Sequence, residues 1–297
     1  MEYLHYFASE NEYNYAKENN YKEPWVSAIN TGNSYRTDYN KTEREKLLGT
    51  PLTFEIISDG NICWKAYDTA YTVKIEYKKN NGEWTEITSS TGGTNISVVN
   101  GDTVQFRGNN ALYYDGNETT FSGTTAGFKI KGNIMSLINS TGFTRLTTLE
   151  SEGTFRSLFN RCSGLTDASN LVLPATTLSP YCYYRMFYGC TSLTTAPELP
   201  ATTLVEACYC GMFRQCKSLI TAPELPATLL VANCYDSMFY DCKKLNYIKC
   251  LAINNNGTSN WVDGVASSGT FVKAASMNNW PTGNSGIPEN WVIQDAN

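Results

Sequence analysis

The chain has 297 residues, with 23 Lys and Arg against 28 Asp and Glu, a formal charge of −5 and a single histidine, His5. A mildly acidic chain lacks the basic patch of nucleic-acid binders, and one histidine argues against His-based acid–base chemistry and His-ligated metals. Charged residues are 17% of the chain, below the roughly 25% of ordinary soluble domains; Thr, Asn, Gly, Ser and Tyr fill the difference, which favours strands and turns over long helices.

The opening residues, Met1 to Phe7, lack the basic stretch, apolar run and small-residue cleavage site of a secretory leader. No apolar run nears the roughly 20 residues of a membrane span, so no membrane insertion is expected. Residues 1–48 read as a lead-in. Ser9-x-x-Glu12 and Thr42-x-x-Glu45 are capping-box patterns, the second opening a helix that ends near Gly49. Between them, residues 21–27 read as extended. With few aliphatics and many tyrosines, this segment docks either on its own chain or on another subunit.

Residues 49–131 read as an all-β unit with strands at 52–57, 61–65, 72–77, 84–87, 95–98, 103–107 and 124–131. Lys79-Asn80-Asn81-Gly82 and Asn100-Gly101-Asp102 supply hairpin turns. Short strands at this spacing suggest a sandwich of immunoglobulin or fibronectin type.

A repeat fills residues 132–250. Met186-Phe187, Met212-Phe213 and Met238-Phe239 recur every 26 residues, as do Cys182, Cys208 and Cys234, and Cys190, Cys216 and Cys242. The linker Ala196-Pro197-Glu198-Leu199-Pro200-Ala201-Thr202 returns at 222–228, and a fainter copy holds Leu158, Phe159 and Cys162. Apolar positions 182, 186, 187 and 190 fall on one face of a short helix. A short extended stretch follows at 192–196, and Pro197 stops any helix before it. One such coil cannot bury its own face, but stacked coils build a continuous core. Residues 251–297 are expected to cap the stack with Trp261, Phe271, Trp280 and Trp291.

The units Met-Phe-Tyr-Gly-Cys-Thr-Ser-Leu (186–193), Met-Phe-Arg-Gln-Cys-Lys-Ser-Leu (212–219) and Met-Phe-Tyr-Asp-Cys-Lys-Lys-Leu (238–245) resemble the BspA-like class of leucine-rich repeats found in Bacteroides-type bacteria. Glu-Pro-Trp-Val-Ser at 23–27 and Gly-Ile-Pro-Glu-Asn-Trp at 286–291 look similar to segments of Bacteroides phage and prophage virion-associated proteins. The resemblance implies a mainly β protein with short helices, an Ig-like sandwich followed by a leucine-rich-repeat solenoid. It also implies a virion setting, assembled in a host cytoplasm, with residues 1–48 contacting other virion subunits. A bacterial cell-surface adhesin is the alternative setting, and a homo-oligomer is compatible with either.

No pattern marks an active site. The phosphate loop, nucleophile elbow and His-Glu-x-x-His signatures do not occur, and no cofactor or metal is expected. Seven of the ten cysteines fall in the two repeating columns without zinc-type spacing, so they read as buried free thiols. Asp59-Gly60-Asn61 and Asp115-Gly116-Asn117-Glu118 read as turns rather than calcium loops. A glycosidase needs only two carboxylates, so a carbohydrate-active enzyme stays open. The leading expectation is non-enzymatic recognition. Columns that vary between repeats should face solvent, among them Tyr184, Arg185, Tyr188, Arg214, Asp236 and Tyr240, with Thr194 and Asn246 on the strand. Flat rings and forked guanidinium groups suit a host surface glycan or protein.

Overall fold

The computed structural model describes residues 43–66, 73–110, 119–278 and 280–296. The patterns at Ser9–Glu12, 21–27 and 115–118 lie outside them, as does Thr42. A helix occupies residues 43–48, closed by Gly49, whose N–H bonds to the carbonyls of Glu45 and Lys46.

The protein is mainly β. Its strands are β1 (Leu52–Ser58), β2 (Gly60–Ala66), β3 (Lys74–Lys79), β4 (Thr85–Thr88), β5 (Thr94–Val98), β6 (Thr103–Gly108), β7 (Thr119–Thr120), β8 (Gly127–Asn133), β9 (Leu165–Val172), β10 (Tyr247–Cys250), β11 (Thr270–Lys273) and β12 (Val292–Asp295). In β1, Leu52, Phe54 and Ile56 point inward, the two-residue period of a half-buried strand. A six-stranded sheet runs β4-β3-β6-β1-β8-β9, and a smaller one runs β5-β2-β7. Phe121 packs between the two sheets, its ring 4.8 Å from Phe54, 4.9 Å from Phe106 and 4.9 Å from Trp64. Asn80 takes a left-handed φ of 53° at the first expected turn, where Gly82 N–H bonds to Lys79 C=O. Gly101 takes φ 92° at the second.

The sheet does not stop at residue 131. Strand β8 pairs in parallel with β9, Lys131 opposite Asn170 and Gly132 opposite Leu171. From β9 single parallel bridges step through Asp167, Thr195, Thr221 and Tyr247, and Tyr247 opens β10, which pairs with β11, which pairs with β12. One ribbon of hydrogen bonds thus links β4 to β12. Its eleven rungs span about 50 Å at about 4.8 Å each. One core cluster extends beneath it, from Leu52 to Trp291.

Opposite the bridges, the segment expected to be a short helix is a run of tight turns. Even-numbered residues bond three back: Tyr184 N–H to Tyr181 C=O, Met186 to Tyr183, Tyr188 to Arg185, Cys190 to Phe187. Odd-numbered residues bond to the next coil: Tyr183 N–H to Cys208 C=O, Arg185 to Cys210, Phe187 to Met212, Gly189 to Arg214. An α-helix sends every N–H to its own fourth-preceding carbonyl; here half the donors tie coils together. Coils starting near 153, 181, 207 and 233 all follow this alternation, and residues 257–265 keep part of it. The segment after residue 250 therefore continues the stack as well as covering its end. Trp261 stacks under Tyr235 at 6.2 Å, and Trp280 meets Trp261 at 5.7 Å.

The invariant columns face inward. Cys182, Met186, Phe187, Cys190 and Leu193 and their copies are fully buried. Phe159, Phe187, Phe213 and Phe239 stack at 5.4, 5.5 and 5.8 Å. Tyr183, Tyr209 and Tyr235 are also buried, not half-buried as a surface ladder would be. All ten cysteines are free thiols. The Cys216 thiol donates to Phe187 C=O at 3.1 Å, and Cys190 and Cys242 repeat the contact to Phe159 and Phe213. Each phenylalanine carbonyl thus accepts a turn N–H and a thiol from the next coil.

Candidate functional site: an arginine–tyrosine face on the turns

The turns require a left-handed residue at every fourth position. One column is Gly153, Tyr181, Ala207, Asn233 and Gly257; the next is Ser157, Arg185, Gly211 and Ser237; the third is Arg161, Gly189, Gln215, Asp241 and Gly264. Only glycine adopts this conformation without steric cost. Two columns that vary between repeats therefore do so partly because the backbone accepts glycine or a polar residue there.

The glycines in these columns make room for arginines. A Cβ on Gly189 would lie 3.2 Å from Arg161 Cγ, and one on Gly211 would lie 3.2 Å from Arg185 Cγ. Each arginine thus lies flat across the bare backbone of the next coil. Guanidinium groups then sit over tyrosine rings: Arg156 4.7 Å from Tyr184, Arg185 4.9 Å from Tyr184 and 5.7 Å from Tyr188, Arg161 5.8 Å from Tyr188, Arg214 3.9 Å from Tyr240. These are favourable cation–π geometries. No carboxylate among the described residues forms an ion pair with Arg161, Arg185 or Arg214.

The structure thus brings Tyr184, Arg185 and Tyr188 into one contacting group, with Arg214 and Tyr240 beside it. Asp236 marks the acidic end, its carboxylate accepting from Ser237 Oγ at 2.9 Å. Cys210 lies among them, half-buried; burial pushes its thiol up to about 11, Asp236 adds to the rise, and Arg185 and Arg214 oppose it. Tyr181 OH donates to Glu206 at 3.2 Å, and this bond with the carboxylate raises its pKa. Thr194 and Asn246 belong elsewhere. Their N–H groups bond to Thr166 and Ile220 carbonyls in the bridged ladder, away from the turn segment that carries the arginines and tyrosines.

Arg156 and Arg161 were not among the expected site residues. Aligning the faint first copy by its 28-residue offset places Arg156 in the Tyr184 column and Arg161 in the Gly189 column, and that alignment finds both. No family model, curated protein or solved structure matches the chain.

Among the described residues, one cleft outside this face, of about 280 Å³, is lined by Pro197, Leu199, Pro200, Pro223 and Pro226 with Glu198 and Glu224. Both carboxylates are paired, Glu198 with Arg44 of the N-terminal helix and Glu224 with Lys249. Another, about 470 Å³, contains Glu76 and Glu86, directly opposite each other on β3 and β4. Arg107 pairs with Glu76 at 2.8 Å and Lys74 with Glu86 at 2.8 Å. Among the described residues no helix is long and apolar enough to cross a membrane, and no cluster of three or more His, Cys, Asp or Glu is placed to hold a metal ion.

Proposed function

We propose that this protein is a non-enzymatic binding or structural component of a phage particle. In this reading an Ig-like sandwich carries a BspA-like leucine-rich-repeat solenoid, and the arginine–tyrosine face of the turns contacts a glycan or protein on a host surface. The observation that carries the reading is the face itself: guanidinium groups laid over tyrosine rings, with Arg161 and Arg185 held at backbone positions that glycine would occupy without strain. Residues 43–48 reach the repeat linker through Arg44 and Glu198, which supports docking of the lead-in on its own chain; contact of residues 1–48 with other virion subunits remains part of the proposal. Self-association into a homo-oligomer fits the same setting.

A carbohydrate-active enzyme is the less supported reading. It needs two carboxylates free to act on a sugar, and Glu76 and Glu86 are each engaged in an ion pair, with Arg107 and Lys74.

Binding of the wild-type protein to envelope fractions of Bacteroides-type cells tests the reading, with Arg185→Ala and Tyr240→Ala as comparisons. Each variant is expected to weaken adsorption at least tenfold while keeping the wild-type unfolding midpoint. Equal adsorption by all three removes the face from the proposal.

A further inference from the structure

We propose that the ligand of this face is an acidic polysaccharide, held by Arg161, Arg185 and Arg214; the inference rests on the reading of the turns as a binding face. The chain as a whole is acidic, yet three guanidinium groups gather on successive coils without a carboxylate partner among the described residues. Arg161 and Arg185 are exposed and Arg214 is half-buried; all three rest on tyrosine rings, which fixes their planes and leaves N–H edges for a planar anion.

Two of the three are held at a cost. Arg161 and Arg185 have φ of 57° and 52°, where the same columns use Gly189 and Gly211 one coil later. The arginines also lie on three successive coils, whose core rings stack at 5.4 to 5.8 Å, so a polymer lying across the coils would meet one of them on each. The faces of Tyr184 and Tyr188 carry the guanidinium groups, so the arginines supply the recognition, as donors for the carboxylate or sulfate groups of the polymer. Asp236 and Asp241 end the basic run at the fourth coil, and Asp241 is already near Lys243 at 3.6 Å.

The test uses the full chain and two acidic polymers, polygalacturonate and dextran sulfate, each against its uncharged form, methyl-esterified polygalacturonate and dextran. Wild type is expected to bind at least one acidic polymer, with no measurable binding to its uncharged partner, and affinity should fall steeply with salt. Arg161→Gly and Arg185→Gly should each weaken binding about tenfold while the unfolding midpoint stays level or rises, since glycine suits both backbone positions. Salt-insensitive binding to the uncharged forms overturns the acidic-ligand inference. So does binding to neither polymer by a protein that still adsorbs to cell envelopes through Tyr240; both results leave the binding face standing. Failure to adsorb to envelopes as well ends both readings.

Discussion

Tyr183 shows how a repeated residue can be locally imperfect. Its ring stacks between Phe155 at 6.0 Å and Tyr209 at 5.6 Å, but its hydroxyl is buried without a hydrogen-bond partner. The preceding coil places phenylalanine in the same column. Tyr183→Phe should therefore stabilise the protein by about 1 kcal/mol, the desolvation cost of an unsatisfied hydroxyl, measured as a rise in urea midpoint with unchanged slope. A second residue-scale effect sits in the turn after β5. The Asp102 carboxylate accepts bonds from the Lys79 ammonium, the Asn80 amide and the Val99 N–H, which lower its pKa from 3.8 to about 2. A depressed folded-state pKa means stability that is full above about pH 4 and lost as pH falls toward 2. Denaturation curves between pH 2 and 5 should show this loss in wild type and a shallower one in Asp102→Asn. The turn at Asn100-Gly101-Asp102 is legible in the sequence because its residue types demand it. The role of Asp102 is not, because its partners lie 22 and 23 residues away.

The coil is the informative element. Its apolar spacing of 182, 186, 187 and 190 fits an α-helix, but a run of turns with a left-handed residue every fourth place gives nearly the same inward face. The discriminating signal is the other set of positions. Gly189, Gly211, Asn233, Gly257 and Gly264 are residue types suited to positive φ, and a helix would tolerate them poorly. The core columns, the thiol ladder and the strand positions were legible because burial forces identity from coil to coil. The faint first copy and the coil after residue 250 were harder to read, since Phe155 replaces the tyrosine in the first and Trp261 takes the backbone place of the methionine in the second, its C=O accepting Phe239 N–H as Met238 C=O accepts Phe213 N–H. Stacking also makes one ring answerable to two neighbours. Phe213→Ala should cost about 4 kcal/mol, because it opens a gap between Phe187 and Phe239 that turns tied to both adjacent coils cannot close. Chemical denaturation monitored by far-UV circular dichroism checks the value; a loss below about 1 kcal/mol would mean that the stack relaxes.

At the scale of the molecule, seven of the eight strands of the first region were legible from alternation and turn residues, but the two-residue β7 and the parallel junction of β8 with β9 were not. That pairing depends on the first coil arriving beside β8, and a one-rung contact leaves no periodic trace. Ser136, just after β8, ties the outgoing chain back to β1 and β6, accepting from Leu52 N–H at 2.9 Å and donating to Phe106 C=O at 2.9 Å. With one ribbon and one core, heat should unfold both regions together. The circular dichroism melt and the fluorescence of Trp64 and Trp261, buried toward opposite ends, should share one midpoint; two separated transitions would show that the junction is weak. The alternation of N–H donors has a consequence beyond stability. Because each 26-residue unit offers its neighbour the same backbone donors and acceptors, a tandem duplication or deletion of one whole unit in the gene would preserve the backbone ladder and the buried columns at the new seam. Unequal recombination between the near-identical stretches could then lengthen or shorten the molecule by one layer at a time, altering its reach while leaving both ends unchanged.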